Sequence, residues 1–227
     1  MADPIGAVLF DLDGTLADTA LDLAYALNEQ RRRHGMPPLP HEVIRPQASH
    51  GTQGLLKVGF DITSKSPNFA ALRAEYLALY TQHICDHTVL FPGISELLQA
   101  LEARKLRWGV VTNKPARFTL PLLKALDLEH RAACIISGDS TPNSKPHPEP
   151  LLTAAAQVRV APAACLYVGD AERDVESAVA AGMKALIANY GYLDVHDQPD
   201  TWGAYARIDA PGDVLNYLKG TSKNSKF

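Results

Sequence analysis

The run Asp11-Leu12-Asp13-Gly14-Thr15 places two carboxylates two residues apart, directly after the apolar stretch Ile5 to Phe10. Comparable polar punctuation follows three later apolar stretches. Thr112-Asn113 follows Trp108 to Val111. Lys145, in Ser144-Lys145-Pro146-His147-Pro148, follows Ala133 to Ile136. Gly169-Asp170, with Asp174 four residues on, follows Cys165 to Val168. Carboxylates that share a cleft repel one another and partly protonate unless a cation sits among them. All-oxygen donors suit Mg²⁺, which keeps several waters and is held by one or two carboxylates plus a substrate phosphate.

These residue types support phosphoryl transfer in two steps. The Asp11 carboxylate attacks phosphorus, giving an aspartyl phosphate and expelling an alcohol. Asp13, displaced from the line of attack, protonates the leaving oxygen and later takes a proton from the hydrolytic water. Thr112, Lys145 and the backbone N–H of Asn113 donate to the phosphoryl oxygens. A phosphate dianion roughly 4 Å from Asp11, at an effective dielectric of about 20, feels about 8 kcal/mol of repulsion, which the metal and Lys145 must offset. Gly14 lets the chain turn away beneath the site.

The elements that position these residues follow from the hydrophobic pattern. The four apolar stretches, with a fifth at Ala185 to Ile187, read as buried parallel strands. Segments of helical spacing alternate with them: Leu97, Leu98 and Leu101; Leu122, Leu123 and Leu126; Val175, Ala178 and Val179. The fold class is therefore α/β, a doubly wound, Rossmann-like parallel sheet, whose ligands bind outside the carboxyl ends of its strands. The alternation is interrupted once, by roughly seventy residues between the first and second strands, far more than one crossover helix needs. Their pattern is helical, with breaks at Pro37-Pro38-Leu39-Pro40 and near Ser64 to Pro67. The expected organisation is a core of 1–16 plus 89–219, a small helical cap inserted at 17–88, and a polar tail at 220–227.

Bulk properties narrow the function classes. The chain has 227 residues, 46% of them hydrophobic and 21% charged, with a formal net charge of −3. This is the composition of a globular protein, with no electrostatic footprint for nucleic acid or anionic lipid. No apolar stretch approaches a membrane span, and the acidic start lacks the pattern of a secretory signal. Cys85, Cys134 and Cys165 are widely spaced, without a CxxC pair, and read as small core residues in a reducing cytoplasm. The expected partner is a small-molecule phosphomonoester, and the expected assembly a monomer or small homo-oligomer.

Four runs, DLDGT at 11–15, VVTNKP at 110–115, SKPHPEP at 144–150 and VGDAERD at 168–174, resemble the haloacid dehalogenase superfamily of phosphatases. Within it, the KPHP run and Tyr190-Gly191-Tyr192 resemble the phosphoglycolate phosphatase group. The resemblance implies Asp11 as nucleophile and Asp13 as general acid and base. It also implies Mg²⁺ on the side chains of Asp11 and Asp170 and on the backbone carbonyl of Asp13, with Asp174 orienting a metal water or Lys145. Specificity in this family comes from the cap. Where phosphoglycolate phosphatases carry a Gly-Asn-Gly-like turn after an arginine, this chain reads Arg45-Pro46-Gln47-Ala48-Ser49-His50-Gly51. Arg45, Ser49, His50 and Gly51 are the residues expected to face the leaving alcohol. Related enzymes acting on N-acetylmuramic acid 6-phosphate carry a Ser-Gly-Gly-like turn here, which makes that phosphosugar the rival substrate. A β-phosphoglucomutase-type mutase shares the chemistry, and a phospho-acceptor signalling domain is the alternative from another class.

Other polar residues have plainer readings. Asp18 and Asp22 complement the dipole of the helix that follows. His147 fixes the Lys145 loop, Lys57 is solvated, and Trp108 and Trp202 are packing residues. The remaining histidines show no pairing that suggests zinc.

Overall fold

The computed structural model describes residues 4–218; the expected tail at 220–227 lies outside them. Among the described residues eight strands, β1 (Ala7–Phe10), β2 (Ala17–Asp18), β3 (Val89–Leu90), β4 (Arg107–Val111), β5 (Ile135–Ile136), β6 (Cys165–Gly169), β7 (Lys184–Ala188) and β8 (Ala206–Ile208), form two sheets. The larger sheet is parallel throughout, in the order β5-β4-β1-β6-β7-β8. The five expected strands are its first five members in chain order. The sixth, β8, escapes the hydrophobic pattern because it is three residues long and carries an exposed arginine, Arg207, at its centre.

Both faces of the sheet are covered, which is why its strands are continuously apolar. Val8, Phe10, Val110, Leu166 and Val168 belong to one core. They pack with α5 (Ile94–Ala103) and α6 (Ala116–Ala125) through Leu97, Leu98, Leu101, Leu122 and Leu123. Ala7, Leu9, Val111, Cys165 and Tyr167, pointing the other way by the two-residue period of a strand, pack with α7 (Glu149–Val158) and α8 (Glu172–Ala180).

The remaining helices, α1 (Ala20–Arg33), α2 (His41–Ile44), α3 (Gly51–Phe60) and α4 (Phe69–Gln82), fill the interval between β2 and β3. Those two short strands pair antiparallel, Ala17 with Leu90 and Asp18 with Val89, so the chain leaves and re-enters the core at one point. Asp22 fastens that junction. Fully buried on α1, its carboxylate accepts from the backbone N–H groups of His87 and Thr88 (3.0 and 2.8 Å) and from the Thr88 hydroxyl (2.7 Å). Burial alone would raise its pKa, but these bonds outweigh burial and hold the carboxyl below its usual range. Leu72, Tyr76, Leu79 and Tyr80, on one face of α4, share a core with Leu23, Ala24 and Leu27 of α1. Each buried leucine among them stabilises the packing by about 1.5–3 kcal/mol.

Candidate active site

Chain order along the large sheet reverses about β1, which lies between β4 and β6, and the crevice at such a switch point is where a doubly wound sheet binds ligands. Asp11 follows β1 at that point. Its N–H donates to the Val168 carbonyl (2.9 Å), extending the ladder by one bond. Its carboxylate is 4% exposed at the residue level, with Oδ1 accepting from the Leu12 N–H (2.7 Å) and paired with Lys145 Nζ (3.0 Å). Among the described residues Oδ2 has no hydrogen-bond partner, so it remains available for chemistry.

Lys145, Asp170 and Asp174 converge behind Asp11. The Lys145 ammonium is buried and contacts Asp174 Oδ1 (2.7 Å), the Tyr167 hydroxyl (2.7 Å) and the Val111 carbonyl (2.9 Å) in addition to Asp11. Asn113 ties down the loop that carries it, its Nδ2 donating to the Lys145 carbonyl (2.8 Å) and its Oδ1 accepting from the Lys145 N–H (3.0 Å). Asp170, 1% exposed, accepts from the Ser49 hydroxyl (2.7 Å) and the Tyr192 N–H (3.0 Å) on Oδ2 and from the Thr15 hydroxyl (3.1 Å) on Oδ1. Gly14 is required beneath it: φ is +80°, and a β-carbon there would lie 2.2 Å from Asp170 Oδ2.

Carboxylate oxygens of Asp11, Asp170 and Asp174 lie within 4.8 Å of one another. Burial raises the Asp11 carboxyl, with Lys145 opposing and Asp174 adding to the rise. Burial, then the charges of Asp174 and Asp11, push Asp170 up to about 7 against the pull of its bonds from Ser49 and Tyr192. Asp174 behaves oppositely, because Lys145 and Arg173 outweigh its burial and lower its pKa. Two protein cations thus serve three carboxylates, and Asp170 has no ion-pair partner among the described residues. An all-oxygen cluster short of positive charge fits a hard divalent cation, which would keep all three ionised.

Asp13 stands apart from this cluster. Its carboxylate is paired with Lys114 Nζ at 2.7 Å to Oδ1 and 2.9 Å to Oδ2, and Oδ1 also accepts from the Thr19 hydroxyl (2.6 Å). Thr112, 3% exposed, accepts from the Lys114 N–H (3.2 Å) on its hydroxyl oxygen, which leaves its O–H free to donate. Asp11, Asp13, Thr112, Asn113, Lys114 and Arg173 share one wall of a cavity of about 750 Å³; the wall facing them comes from α1, α3, α4 and the segment before α3.

The four residues of the 45–51 turn divide. Ser49, His50 and Gly51 line the cavity, Ser49 with its hydroxyl on Asp170. Arg45, expected to face the leaving alcohol, instead donates to the carbonyls of Gly191 (3.0 Å) and Tyr190 (3.4 Å) and lies over the Tyr192 ring. It fastens the turn to the core. Lys57 lines the cavity while paired with Asp61, the residue that follows its helix. His147 acts locally, accepting from Ser177 on its carbonyl (2.8 Å). Sequence reasoning gave no role to Lys114, Arg173, Thr19 or Tyr192. Two of these, Lys114 and Arg173, sit inside the runs VVTNKP and VGDAERD. Arg173 donates to the Ser49 carbonyl, and the Tyr192 hydroxyl accepts from the N–H groups of Thr19 and Ala20 (2.6 and 3.0 Å) at the start of α1. Cys134 and Cys165 are free, buried thiols whose pKa values burial pushes up to about 12 and about 11, so they are inert packing groups.

Among the described residues no helix is long and apolar enough to cross a membrane. Residues 8–188 match the family described as haloacid dehalogenase-like hydrolase. The chain is 40% identical over 212 residues to an N-acetylmuramic acid 6-phosphate phosphatase of Pseudomonas aeruginosa, covering 93% of this chain and 94% of the relative. It is 40% identical over 205 residues to a phosphoglycolate phosphatase of Xanthomonas campestris pv. campestris, covering 90% and 92%. The crystal structure of a predicted phosphoglycolate phosphatase from Haemophilus somnus superposes with a TM-score of 0.83 at 26% identity, over 95% of this chain and 98% of that one. With the four motifs at the carboxyl edge of this sheet and a family match spanning most of its length, the chain belongs to the haloacid dehalogenase-like hydrolases.

Proposed function

We propose that the protein is a Mg²⁺-dependent phosphomonoester hydrolase working through an aspartyl phosphate on Asp11. The observation that carries this reading is the pairing, on one cavity wall, of Asp11 with an unpartnered Oδ2 and Asp13, backed by a carboxylate cluster deficient in positive charge. Asp11 and Asp170 would hold the ion, with the Asp13 carbonyl, and the bound ion supplies charge neutralisation that lets a phosphate dianion approach a carboxylate.

The protein's own groups do the rest. Asp11 Oδ2 attacks phosphorus as the ester oxygen departs, and Asp13 delivers a proton to that oxygen. The Thr112 hydroxyl and the Asn113 N–H stabilise phosphoryl oxygens. Lys145 opposes the burial-driven rise of the Asp11 carboxyl and holds its Oδ1 in place. Its existing bonds to Asp11, Asp174, Tyr167 and Val111 mean that a contact with phosphate requires one of them to loosen. Asp174 orients Lys145 through its 2.7 Å contact. Residues 17–88 act as a cap over the cavity, so that Ser49, His50 and Gly51 meet the leaving alcohol.

The relatives divide between two substrates, and the cavity favours the larger. About 750 Å³, walled by Tyr76, Tyr80, Phe118 and Leu23, is far more room than a two-carbon acid fills and suits the amino-sugar acid of N-acetylmuramic acid 6-phosphate. The test is phosphate release with and without chelator from that ester, 2-phosphoglycolate and hexose phosphates. Continuous Mg²⁺-dependent release, without a bisphosphate activator and with the highest kcat/KM on the amino-sugar ester, is expected. Undiminished release in chelator would overturn the metal assignment, and a preference for 2-phosphoglycolate would overturn the substrate assignment.

A further inference from the structure

Lys114 makes an arrangement that nothing in the reaction as described above requires. Its side chain is 7% exposed although it belongs to the cavity wall, and its ammonium lies 4.9 Å from the centre of the Tyr80 ring. Its backbone is pinned on both sides: the N–H donates to Thr112 Oγ1, and the carbonyl accepts from the Gly138 N–H and the Thr119 hydroxyl (both 2.9 Å). A long side chain is thereby held with its charge on one carboxylate. The two oxygens of Asp13 are not held alike. Among the described residues, Oδ1 receives both the Thr19 hydroxyl (2.6 Å) and Lys114 (2.7 Å), whereas Oδ2 receives Lys114 alone, at 2.9 Å.

We infer that Lys114 is the positioning residue of Asp13, anchoring Oδ1 together with Thr19 and so assigning Oδ2 as the oxygen that exchanges the proton. The inference rests on the hydrolase reading and adds to it a residue and an atom. In the first half-reaction the proton passes from Oδ2 to the ester oxygen as the phosphorus–oxygen bond breaks and its electron pair stays on that oxygen, while the Asp11–phosphorus bond forms. Asp13 is left as a carboxylate, its charge facing Lys114 and Thr19. In the second half-reaction Oδ2 takes a proton from the water that attacks phosphorus, and the electron pair of the breaking bond returns to Asp11. Tyr80, contributed by α4, excludes solvent from the ammonium, so the anchor is complete only where the two walls of the cavity meet.

The test is a series of phosphomonoesters whose leaving groups run from p-nitrophenol, which departs without a proton, to alkyl alcohols, which need one. For Lys114→Met, kcat on the alkyl esters should fall at least about tenfold further than kcat on p-nitrophenyl phosphate, with little change in KM. Asp13→Asn should show the same split, and adding Lys114→Met to it should widen the split no further. Thr19→Val, which removes the other anchor of Oδ1, should show a smaller split of the same sign and provides the measurement should Lys114→Met fail to fold. Equal losses on every ester, or losses confined to KM, would overturn the inference and leave the hydrolase reading intact. Absence of phosphate release from every ester by the wild-type protein would overturn that reading and the inference with it.

Discussion

The carboxyl edge of the sheet and the turn from Arg45 to Gly51 meet across one cavity, yet they are held by different physics. At the sheet edge, Asp11, Lys145, Asp170 and Asp174 are almost wholly buried, and each is fixed by partners drawn from other strands and loops. In the turn, His50 and Gly51 are exposed, and polar attachment to the core runs through Arg45 on the carbonyls of residues 190 and 191, Ser49 on Asp170 and Arg173 on the Ser49 carbonyl. A buried charge network admits one arrangement and suits a fixed reaction. His50 and Gly51, exposed and without a bond to that network, can change without disturbing it, which is where a family with one chemistry can vary its substrate.

The largest effect that would break this contrast belongs to Asp11. Asp11→Asn should lower kcat on every phosphomonoester by at least about 10³-fold, because the nucleophile is lost while the cavity is kept. Retained turnover, measured by phosphate release, would remove the sheet edge from the chemistry. Next comes Lys145→Met, which leaves Asp11 and Asp174 buried without their ammonium. Breaking such a pair costs about 3–5 kcal/mol, or roughly 6–20 °C in Tm for a chain of this size, read by thermal melting without added metal. An unchanged Tm would show that the edge is held by something else.

Asp22→Asn sharpens the comparison at the junction between the two regions. Loss of its charge-assisted bonds to His87 and Thr88 should cost about 1–3 kcal/mol at neutral pH. Because folding lowers the Asp22 pKa, its stabilisation is fully present above the unfolded value of about 3.9 and is lost as pH falls through the folded value below it. Wild-type stability should therefore decline more steeply than that of Asp22→Asn at the acid end, as followed by denaturant titration; parallel curves would contradict the latch. The smallest effect is expected from His50→Ala, which should reorder substrates by less than about tenfold in kcat/KM and leave Tm near the wild-type value. Equal losses on all substrates would place His50 outside substrate recognition.

The sequence displays the sheet edge well because strand ends are readable: an apolar run of four or five residues stops, and a polar residue stands where ligands bind. Asp11, Thr112, Asp170 and the Lys145 loop all follow that grammar. Side-chain direction is not readable in the same way. Lys114 and Arg173 lie within the quoted runs, but whether each turns toward Asp13 or Ser49 depends on loop conformation. Arg45 reads as a substrate group, but the partners its guanidinium bonds in the structure, the 190–191 carbonyls, are nearly 150 positions away and leave no local signal. Tyr192 caps the start of α1 from 173 residues downstream, a contact no local pattern encodes. The strand β8 leaves no signal for a different reason, being too short to show a period.

The central claim, that Asp11 carries the phosphoryl group, is tested most directly by rapid quenching during turnover followed by borohydride reduction, which converts an aspartyl phosphate to homoserine, and peptide mass spectrometry. The account predicts homoserine at position 11 when substrate and Mg²⁺ are both present and none when chelator replaces the metal. Homoserine at another acidic residue, or its complete absence in samples quenched while phosphate is being released at saturating substrate, would contradict it.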